Sequence, residues 1–514
     1  MTQHFDVAVV GGQASGLIAA ALLAKRGRRV VLLDHGENTT YYRRRGLRLP
    51  LIPTLVPVFE NSPFIKRVHD ELGLAPELRS ASEPLDPIFQ VIMPKHRIDV
   101  RADRDALLEE IGHEFPEMVD PVARFFTQLF ALDKEISQFL EESSPLPPWG
   151  MCEQWRMRGI LSKAKHLDAP FESRDMLEGI PPDHPVRELL LGPLTFFGHL
   201  PVKEPSTLHA VRLIARFYRG TLAFADRLGG LQAVLLKVAR DTGVEIRRGA
   251  VVRSISTRGK RLHEIIEAGS KISITADYFV ANTFGPFQEL LPANKLQARY
   301  AQTQRANHAT GSLLVLNLVV QQQVIPKGMA QALFLLNGRR QPRDDEATDP
   351  ALFLRRYPAM QREPRPVHTA DTQDDPKNEV LSIACPVDTA DVARSPERLA
   401  ALKQQLTERV GRLIPFLRSF VVDMSLPVET SGWDVETDDV IRRIDPWSLH
   451  PIFEPAKRPL FGVASRPTRT AFKNAVHTGR DVAPGLGLEG EYLAGLAAAD
   501  ALVRIAGRNW QKPR

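Results

Sequence analysis

Cysteine is nearly absent from this chain of 514 residues, where only Cys152 and Cys385 occur. The two are far apart, and neither sits in a Cys-x-x-Cys pair or at metal-ligand spacing from a histidine. A disulfide framework and a zinc site are therefore excluded as organising devices, and a reducing, cytoplasmic setting fits. Long apolar runs are also missing: the stretch Leu313 to Val320 is short and carries Asn317, whereas a spanning helix needs about 20 apolar residues. A basic region followed by an apolar core does not open the chain, so a secretory signal is not expected. There is no short-period repeat, nucleophile elbow, metalloprotease helix or Walker loop, which removes the signatures of hydrolase and P-loop chemistry. Charge of one sign is scarce as well. The 67 Lys and Arg against 61 Asp and Glu leave only +6, a mild excess that does not imply nucleic acid and favours acidic lipids or nothing at all.

What is present points to a large enzyme-sized core. With 43% hydrophobic residues over this length, the chain can bury two or more domains. Its most informative stretch is Gly11-Gly12-Gln13-Ala14-Ser15-Gly16, set between the apolar run Phe5 to Val10 and the apolar stretch Leu17 to Ala24. A strand, a glycine turn and an alanine-rich helix form a phosphate cradle, because free backbone N–H groups and the helix dipole attract an anion. A second strand, Arg29 to Asp34, ends in a carboxylate near the spacing of about 20 residues at which a ribose hydroxyl is gripped. The chain should therefore bind an adenine dinucleotide. Gln13 stands where such a fingerprint usually has its second glycine, so its side chain must point away from the pyrophosphate or touch it.

Two further segments follow the same logic. Asp226 to Leu231 contains Gly229-Gly230 and leads into an expected helix, Gln232 to Thr242, closed by Gly243. Val244 to Ile246, Ala250 to Ser256, Lys271 to Ala276 and Ala276 to Asn282 read as strands. Near the C-terminus, Gly479 to Gly495 holds a glycine-proline loop before an apolar helix, Leu493 to Ile505. A helix N-terminus there would suit the edge of a flavin that gains negative charge on reduction.

In this order the three segments resemble the flavoproteins of the amine oxidase and phytoene desaturase group. The match lies in the N-terminal fingerprint, a central Gly-Gly helix followed by strands, where the family's Gly-Gly-x-x-x-Leu is here Gly229-Gly230-Leu231-Gln232-Ala233-Val234, and the Pro-Gly-x-Gly-x-x-Gly spacing of Pro484 to Gly490, which is that of the desaturase branch. The resemblance implies FAD lying extended through the first domain, with a second domain roofing an apolar tunnel. It places Gly11, Gly12, Gln13, Ala14, Ser15 and Gly16 at the pyrophosphate, Asp34 on the ribose, Val252 at the adenine side, and Asn282 toward the flavin end. Gly487, Gly490, Glu491 and Tyr492 would pass beside the isoalloxazine. Where the family has a Gly-Gly-Arg stretch, this chain has Tyr41-Tyr42-Arg43-Arg44-Arg45-Gly46, so Arg43 or Arg45 would reach the phosphates through paired guanidinium donors. Neither cysteine matches a flavin tether, and the FAD should be non-covalent.

The expected fold class is α/β, a discontinuous Rossmann-like FAD-binding domain from 1–70, 205–285 and 440–514, with an inserted α+β substrate domain from 71–204 and 286–439. In the insert, Leu313 to Val319, Leu333 to Leu336 and Val380 to Ala384 read as strands. Ser395 to Ile414 reads as a helix capped by Ser395 with Pro396 first, and Asn337 to Asn378 as a long irregular loop. The implied chemistry is hydride transfer between flavin N5 and an apolar, isoprenoid or lipid-like molecule, by a desaturase, isomerase or saturase. His199 and Arg466 are the candidates for catalytic roles, although a histidine on an apolar segment such as Leu189 to Leu200 is more often structural. That segment and Leu49 to Phe59 are the places where a peripheral membrane contact would form; buried loops lining a cavity are the preferred reading. Two alternatives stand beside the desaturase: a soluble amine oxidase passing electrons to oxygen, and a non-catalytic lipid-binding protein like the GDP-dissociation inhibitors.

Overall fold

A computed structural model describes residues 2–510 except 35–39, 46, 144–145, 149, 174, 202–204, 227, 269–272, 284–286, 305–306, 338–348, 358–377, 394, 430–434, 438–439, 443–449, 456–458 and 465. Two large sheets organise these residues. The first runs in the order Glu245–Arg248, Val30–Asp34, Thr2–Val10, Ser273–Ala281, Arg261–Glu267, Val252–Arg258, with Ala475–His477 also paired to Ser273–Ala281. Its four central contacts are parallel, with Val7 to Val10 held between Val30 to Leu33 and Tyr278 to Ala281. A strand covered on both faces needs an unbroken apolar run, and Phe5 to Val10 is buried throughout apart from the charge of Asp6, whose carboxylate accepts from the Arg29 backbone N–H at 2.8 Å.

The helix Ala14–Lys25 is buried from Ala14 to Leu23 because it is apolar all round. It packs against the C-terminal helix Leu488–Ala506 at a crossing where Gly495 is required: a Cβ there would stand 2.6 Å from the Ser15 carbonyl oxygen and 2.9 Å from Ile18. The small residues of both helices thus set how closely the two ends of the chain meet.

The second sheet runs Val421–Ser425, Asn307–Gln321, Asn378–Asp388, Leu352–Tyr357, Ala332–Leu335, Phe89–Met93, His96–Val100, with Pro451–Pro455 added beside Asn307–Gln321. Period-two alternation decides its faces. Leu314, Leu316, Leu318 and Val320 pack with Leu406 and Val410 of the helix Pro396–Leu413, whereas Leu313, Phe334 and Phe353 turn to the large central core. Asn317, the polar interruption of that apolar run, lies on the other face from Leu316, where its amide donates to Tyr42 Oη at 3.2 Å and the Pro50 carbonyl at 2.8 Å. Ser395 caps its helix, accepting from the Arg398 N–H at 3.3 Å, with Pro396 in the first turn.

The structure corrects several sequence expectations. The strands expected at Lys271 to Ala276 and Ala276 to Asn282 are one strand, Ser273–Ala281, and the sequence reading missed its hairpin neighbour Arg261–Glu267, whose charged residues hide a half-exposed face. The expected loop from Asn337 to Asn378 contains the strand Leu352–Tyr357, buried on the sheet, while 338–348 and 358–377 lie outside the described residues. The C-terminal helix starts at Leu488, five residues before Leu493, because the glycines of its first turns are helical. Pro451–Pro455 joins the second sheet, so the stretch from 440 does not all belong with the nucleotide sheet.

Candidate functional site

The glycine loop is built by crowding. Gly11 has φ +112°, and a Cβ there would lie 1.6 Å from the Asn282 carbonyl oxygen; one on Gly16 would lie 2.1 Å from Asn282 Oδ1. Asn282, fully buried, donates from its side chain to Ser15 Oγ at 2.9 Å and the Thr478 carbonyl at 3.2 Å. It thus ties the loop to the end of the Ala475–His477 strand. Asp34 comes up beside Gly12, where a Cβ would meet its Oδ1 at 2.6 Å. Gln13 takes an extended backbone before the helix, makes no capping bond with its side chain, and lines the cleft described below. The first-turn N–H groups of Ala14–Lys25 are therefore left without a side-chain cap, as an anion cradle requires. Gln232 adds a second strut from the central segment, donating from Nε2 to the Gly12 carbonyl at 2.9 Å.

The start of the C-terminal helix is equally tight. Gly487, at φ +54°, and Gly490 would put Cβ atoms 2.4 Å from the Phe197 carbonyl oxygen and 2.1 Å from that of Ala483. Two acids occupy the first turn, where the helix dipole favours them. Glu489 is sealed in an ionic cluster: Arg212 donates to it at 2.7 and 2.8 Å and to Asp133 at 2.6 Å, Arg216 lies 3.3 Å away, and Ser62 Oγ donates to it. Burial pushes the Glu489 carboxyl up, but the charges of Arg212 and Arg216 and the bonds from Arg212 and Ser62 outweigh it and bring it down to about 2. Glu491 faces the other way, accepting from Arg480 Nε at 3.1 Å while its buried Oε2 has no protein partner among the described residues.

Between the sheets opens a cleft of about 1290 Å³ of empty space, part of it continuous with solvent. Gln13, Ala14 and the Gly229 to Gln232 turn line one side, and Phe196, Phe197, Phe217, Leu313, Phe334 and Phe353 the other. The aromatic wall is interlocked, with Phe197 stacked on Phe217 at 3.7 Å and Phe334 on Phe353 at 4.9 Å between centroids. A polar corner interrupts it where Glu491 and Arg480 meet His199 and His450. His199 Nε2 is 3.9 Å from Glu491 Oε1, and the two imidazoles are 4.9 Å apart. Burial first, then the Arg480 charge, brings His450 down to about 3, and burial with the neighbouring His450 and Arg480 charges holds His199 well below its ordinary value. Both rings are therefore neutral near pH 7.

Of the sequence candidates, Gln13, Ala14, His199 and Glu491 line this cleft. Gly11, Gly12, Ser15, Gly16, Asp34, Asn282, Gly487 and Gly490 form the packed layer behind it, and Tyr492 is fully buried with its hydroxyl bonded to His69 Nε2 at 3.2 Å. Val252 sits in the core of the nucleotide sheet with Phe5 and Val31. Arg466 is not among the cleft residues; it pairs with Asp481 at 2.6 Å, and Asp481 also binds His477 at 2.8 Å. Arg45, 71% exposed, stands 3.3 Å from Asp423, which Arg44 also holds at 2.9 Å, and the side chain of Arg43 lies outside the described residues. Sequence reasoning missed Gln232, Arg480 and His450. Gln232 had a signal, a polar residue in the first turn of an apolar helix beside a glycine pair; His450 had none, since only the pairing of Pro451–Pro455 with Asn307–Gln321 brings it here.

Comparison with known proteins places this geometry. A family model described as NAD(P)-binding Rossmann-like domain matches residues 9–72. The 4,4'-diapophytoene desaturase (4,4'-diaponeurosporene-forming) of Staphylococcus haemolyticus is 24% identical over 294 residues, 54% of this chain and 57% of that protein. The 4,4'-diapolycopen-4-al dehydrogenase of Metabacillus indicus is 22% identical over 57% of this chain and 59% of its own length. The chain is similar to both of these enzymes and matches less than two thirds of the length of each. Its fold is shared with an engineered double mutant of putrescine oxidase, at TM-score 0.57 and 15% identity over 98% of this chain and all of that one. An oxidoreductase from Methanosarcina mazei aligns at TM-score 0.52 and 15% identity over 97% of this chain and all of its own. The residues present fit a dinucleotide cofactor: the loop has no room for a Cβ at Gly11, and the helix start behind it has no side-chain cap.

Proposed function

We propose that the protein is an FAD-dependent oxidoreductase of the desaturase, isomerase or saturase type, acting on a long apolar, isoprenoid or lipid-like molecule. The observation that carries this reading is the single cleft onto which the glycine loop, the Gly229 to Gln232 turn and the start of the C-terminal helix all open, opposite a wall of interlocked phenylalanines. Gly11 to Gly16 and the N-terminus of Ala14–Lys25 would hold the pyrophosphate, Asp34 the ribose, and the first turn of Leu488–Ala506 the flavin end. When bound, the flavin supplies two-electron, hydride-accepting chemistry. The aromatic wall binds and aligns the hydrocarbon and excludes water, and no acid or base of the cleft is needed for that task. Cys152 is exposed on a helix and Cys385 buried in the second sheet, which supports non-covalent FAD. The domain division we propose follows the two sheets, with the inserted segments as the substrate side.

The segments expected as membrane contacts supply Leu51 to Val56, Phe196, Phe197 and His199 to the cleft, in line with buried loops lining a cavity, and no described helix is long and apolar enough to cross a membrane. Peripheral contact at the cleft mouth remains part of the proposal, because an apolar substrate must arrive from somewhere apolar. Anaerobic incubation with isoprenoid extracts and with amines tests the reading. Flavin bleaching by the lipid fraction is expected of a desaturase, and reoxidation of pre-reduced flavin by that fraction of a saturase. Bleaching by amines alone, with peroxide formed on admitting air, would assign an amine oxidase, and a protein that takes up no flavin would assign a binding protein.

A further inference from the structure

Resting on that reading of the cleft, we propose that its polar corner recognises a hydroxyl group on the apolar substrate, so that the preferred substrate is a polyisoprenoid alcohol and not a plain hydrocarbon. Three neighbouring residues of this corner each carry a buried polar atom without a partner among the described residues: His199 Nδ1, His450 Nε2 and Glu491 Oε2. Leaving such atoms unpaired is costly, so their clustering at the end of an otherwise apolar cleft marks a place where a ligand supplies the missing bonds. The donor set says which ligand. Glu491 already accepts from Arg480 and offers only a further acceptor, so the group it meets must donate. The two imidazoles are neutral because burial suppresses their charge, and each offers one N–H and one lone pair. A hydroxyl satisfies both kinds of partner at once, donating to the carboxylate and accepting from an imidazole, whereas a carbonyl cannot donate and a hydrocarbon can do neither.

The placement favours substrate over cofactor. His199 follows the short helix Leu194–Phe197, which carries Phe196 and Phe197 of the aromatic wall, and His450 precedes Pro451–Pro455 of the second sheet. The His199 and Phe453 backbones are joined, Phe453 N–H to the His199 carbonyl at 2.8 Å, which ties the segment carrying His199 to the one carrying His450, while the His199 N–H bonds the Pro484 carbonyl of the C-terminal loop at 3.0 Å.

Equilibrium binding to the flavin-loaded protein tests this without requiring turnover. The probes are a polyisoprenoid alcohol and the hydrocarbon of the same chain length, each titrated from detergent micelles and followed by fluorescence quenching. The wild-type protein should bind the alcohol about tenfold or more tightly than the hydrocarbon, the loss expected when buried polar atoms are left unpaired. His199→Phe and His450→Phe replace each imidazole by an apolar ring without donors, and each should abolish most of that preference, read as the ratio of the two affinities, with flavin content and the flavin absorbance spectrum recorded alongside. His199→Gln, which retains a donor, should keep part of the preference. Equal affinity for the two probes, or a preference that survives both phenylalanine variants, overturns the inference and leaves the apolar-substrate reading intact. Loss or spectral shift of the flavin in the variants also overturns it, by assigning the corner to the cofactor. Binding of neither probe overturns the substrate reading itself.

Discussion

Glu489 and Glu491 stand two residues apart in the first turn of one helix, about 200° around its axis, and they have opposite fates. Both oxygens of Glu489 are bonded, in a cluster where Arg212 is fully buried and reaches Asp133, Ser137 and the Asn61 carbonyl as well. Glu491, also buried and among the residues lining the cleft, accepts from Arg480 through one oxygen, and its other oxygen has no partner among the described residues. The contrast teaches how a single helix start serves two purposes. One carboxylate anchors the helix to Thr207–Tyr218 and Val119–Glu142, and the other stays available to a ligand.

Breaking the anchor should have the largest effect. Arg212→Met removes the guanidinium that Glu489 and Asp133 share, leaving Glu489 to Arg216 and Ser62 and Asp133 to Arg219, and should cost about 3 kcal/mol in chemical unfolding, with flavin loading lost as the helix start loosens. Gly11→Ala comes next: with its Cβ forced onto the Asn282 carbonyl, the variant should bind no flavin by absorbance. Gly27→Ala, also at positive φ (+80°) but facing open space, should load normally and lose only about 1 kcal/mol. If both variants behave alike, the crowded loop is not what shapes the cradle.

Acid should separate the two carboxylates. His69 and His209 are each held by burial near pKa about 4, and His450 near about 3. The unfolded chain binds more protons than the folded one, so stability falls as pH drops below 6.5 and continues falling through 4. Glu489, depressed to about 2, adds a second loss as pH falls from 4.5 toward 2. Unfolding midpoints measured across pH should lose the upper slope in part in His209→Gln and the lower one in Glu489→Gln. Glu491→Gln, by contrast, should change stability by less than about 1 kcal/mol, since its neutral amide still meets Arg480 through its oxygen. The smallest effect is expected at Arg45→Ala, whose exposed pair with Asp423 is worth within about 0.5 kcal/mol, and whose flavin content should match the wild type; a large loss there would return Arg45 to the phosphates.

Much of the nucleotide side was legible in the sequence because its determinants are local. A strand, a glycine turn and a helix follow one another within Thr2–Lys25, and Asp34 ends the next strand. The Ser395 cap and Pro396 were legible for the same reason. What was hidden depends on long-range pairing. Arg261–Glu267 carries too many charges to read as a strand until its hairpin partner shields it, and Leu352–Tyr357 is flanked by polar stretches that mask a buried edge-to-centre strand. The polar corner of the cleft is the extreme case, since His199, His450 and the pair Arg480 and Glu491 come from three separate segments. Arg466 illustrates the reverse error: proximity in sequence to the C-terminal loop put it under consideration, while its guanidinium is committed to Asp481.

The central claim is that three separated segments make one dinucleotide cradle, and reconstitution measures it most directly. Flavin-stripped protein titrated with FAD should bind close to one equivalent, restore the flavin absorbance, and release intact FAD on acid denaturation, whereas the Gly11→Ala protein, folded by circular dichroism, should bind none. A folded wild-type protein that takes up no FAD under these conditions, or a Gly11→Ala protein that takes it up equally well, would contradict the account.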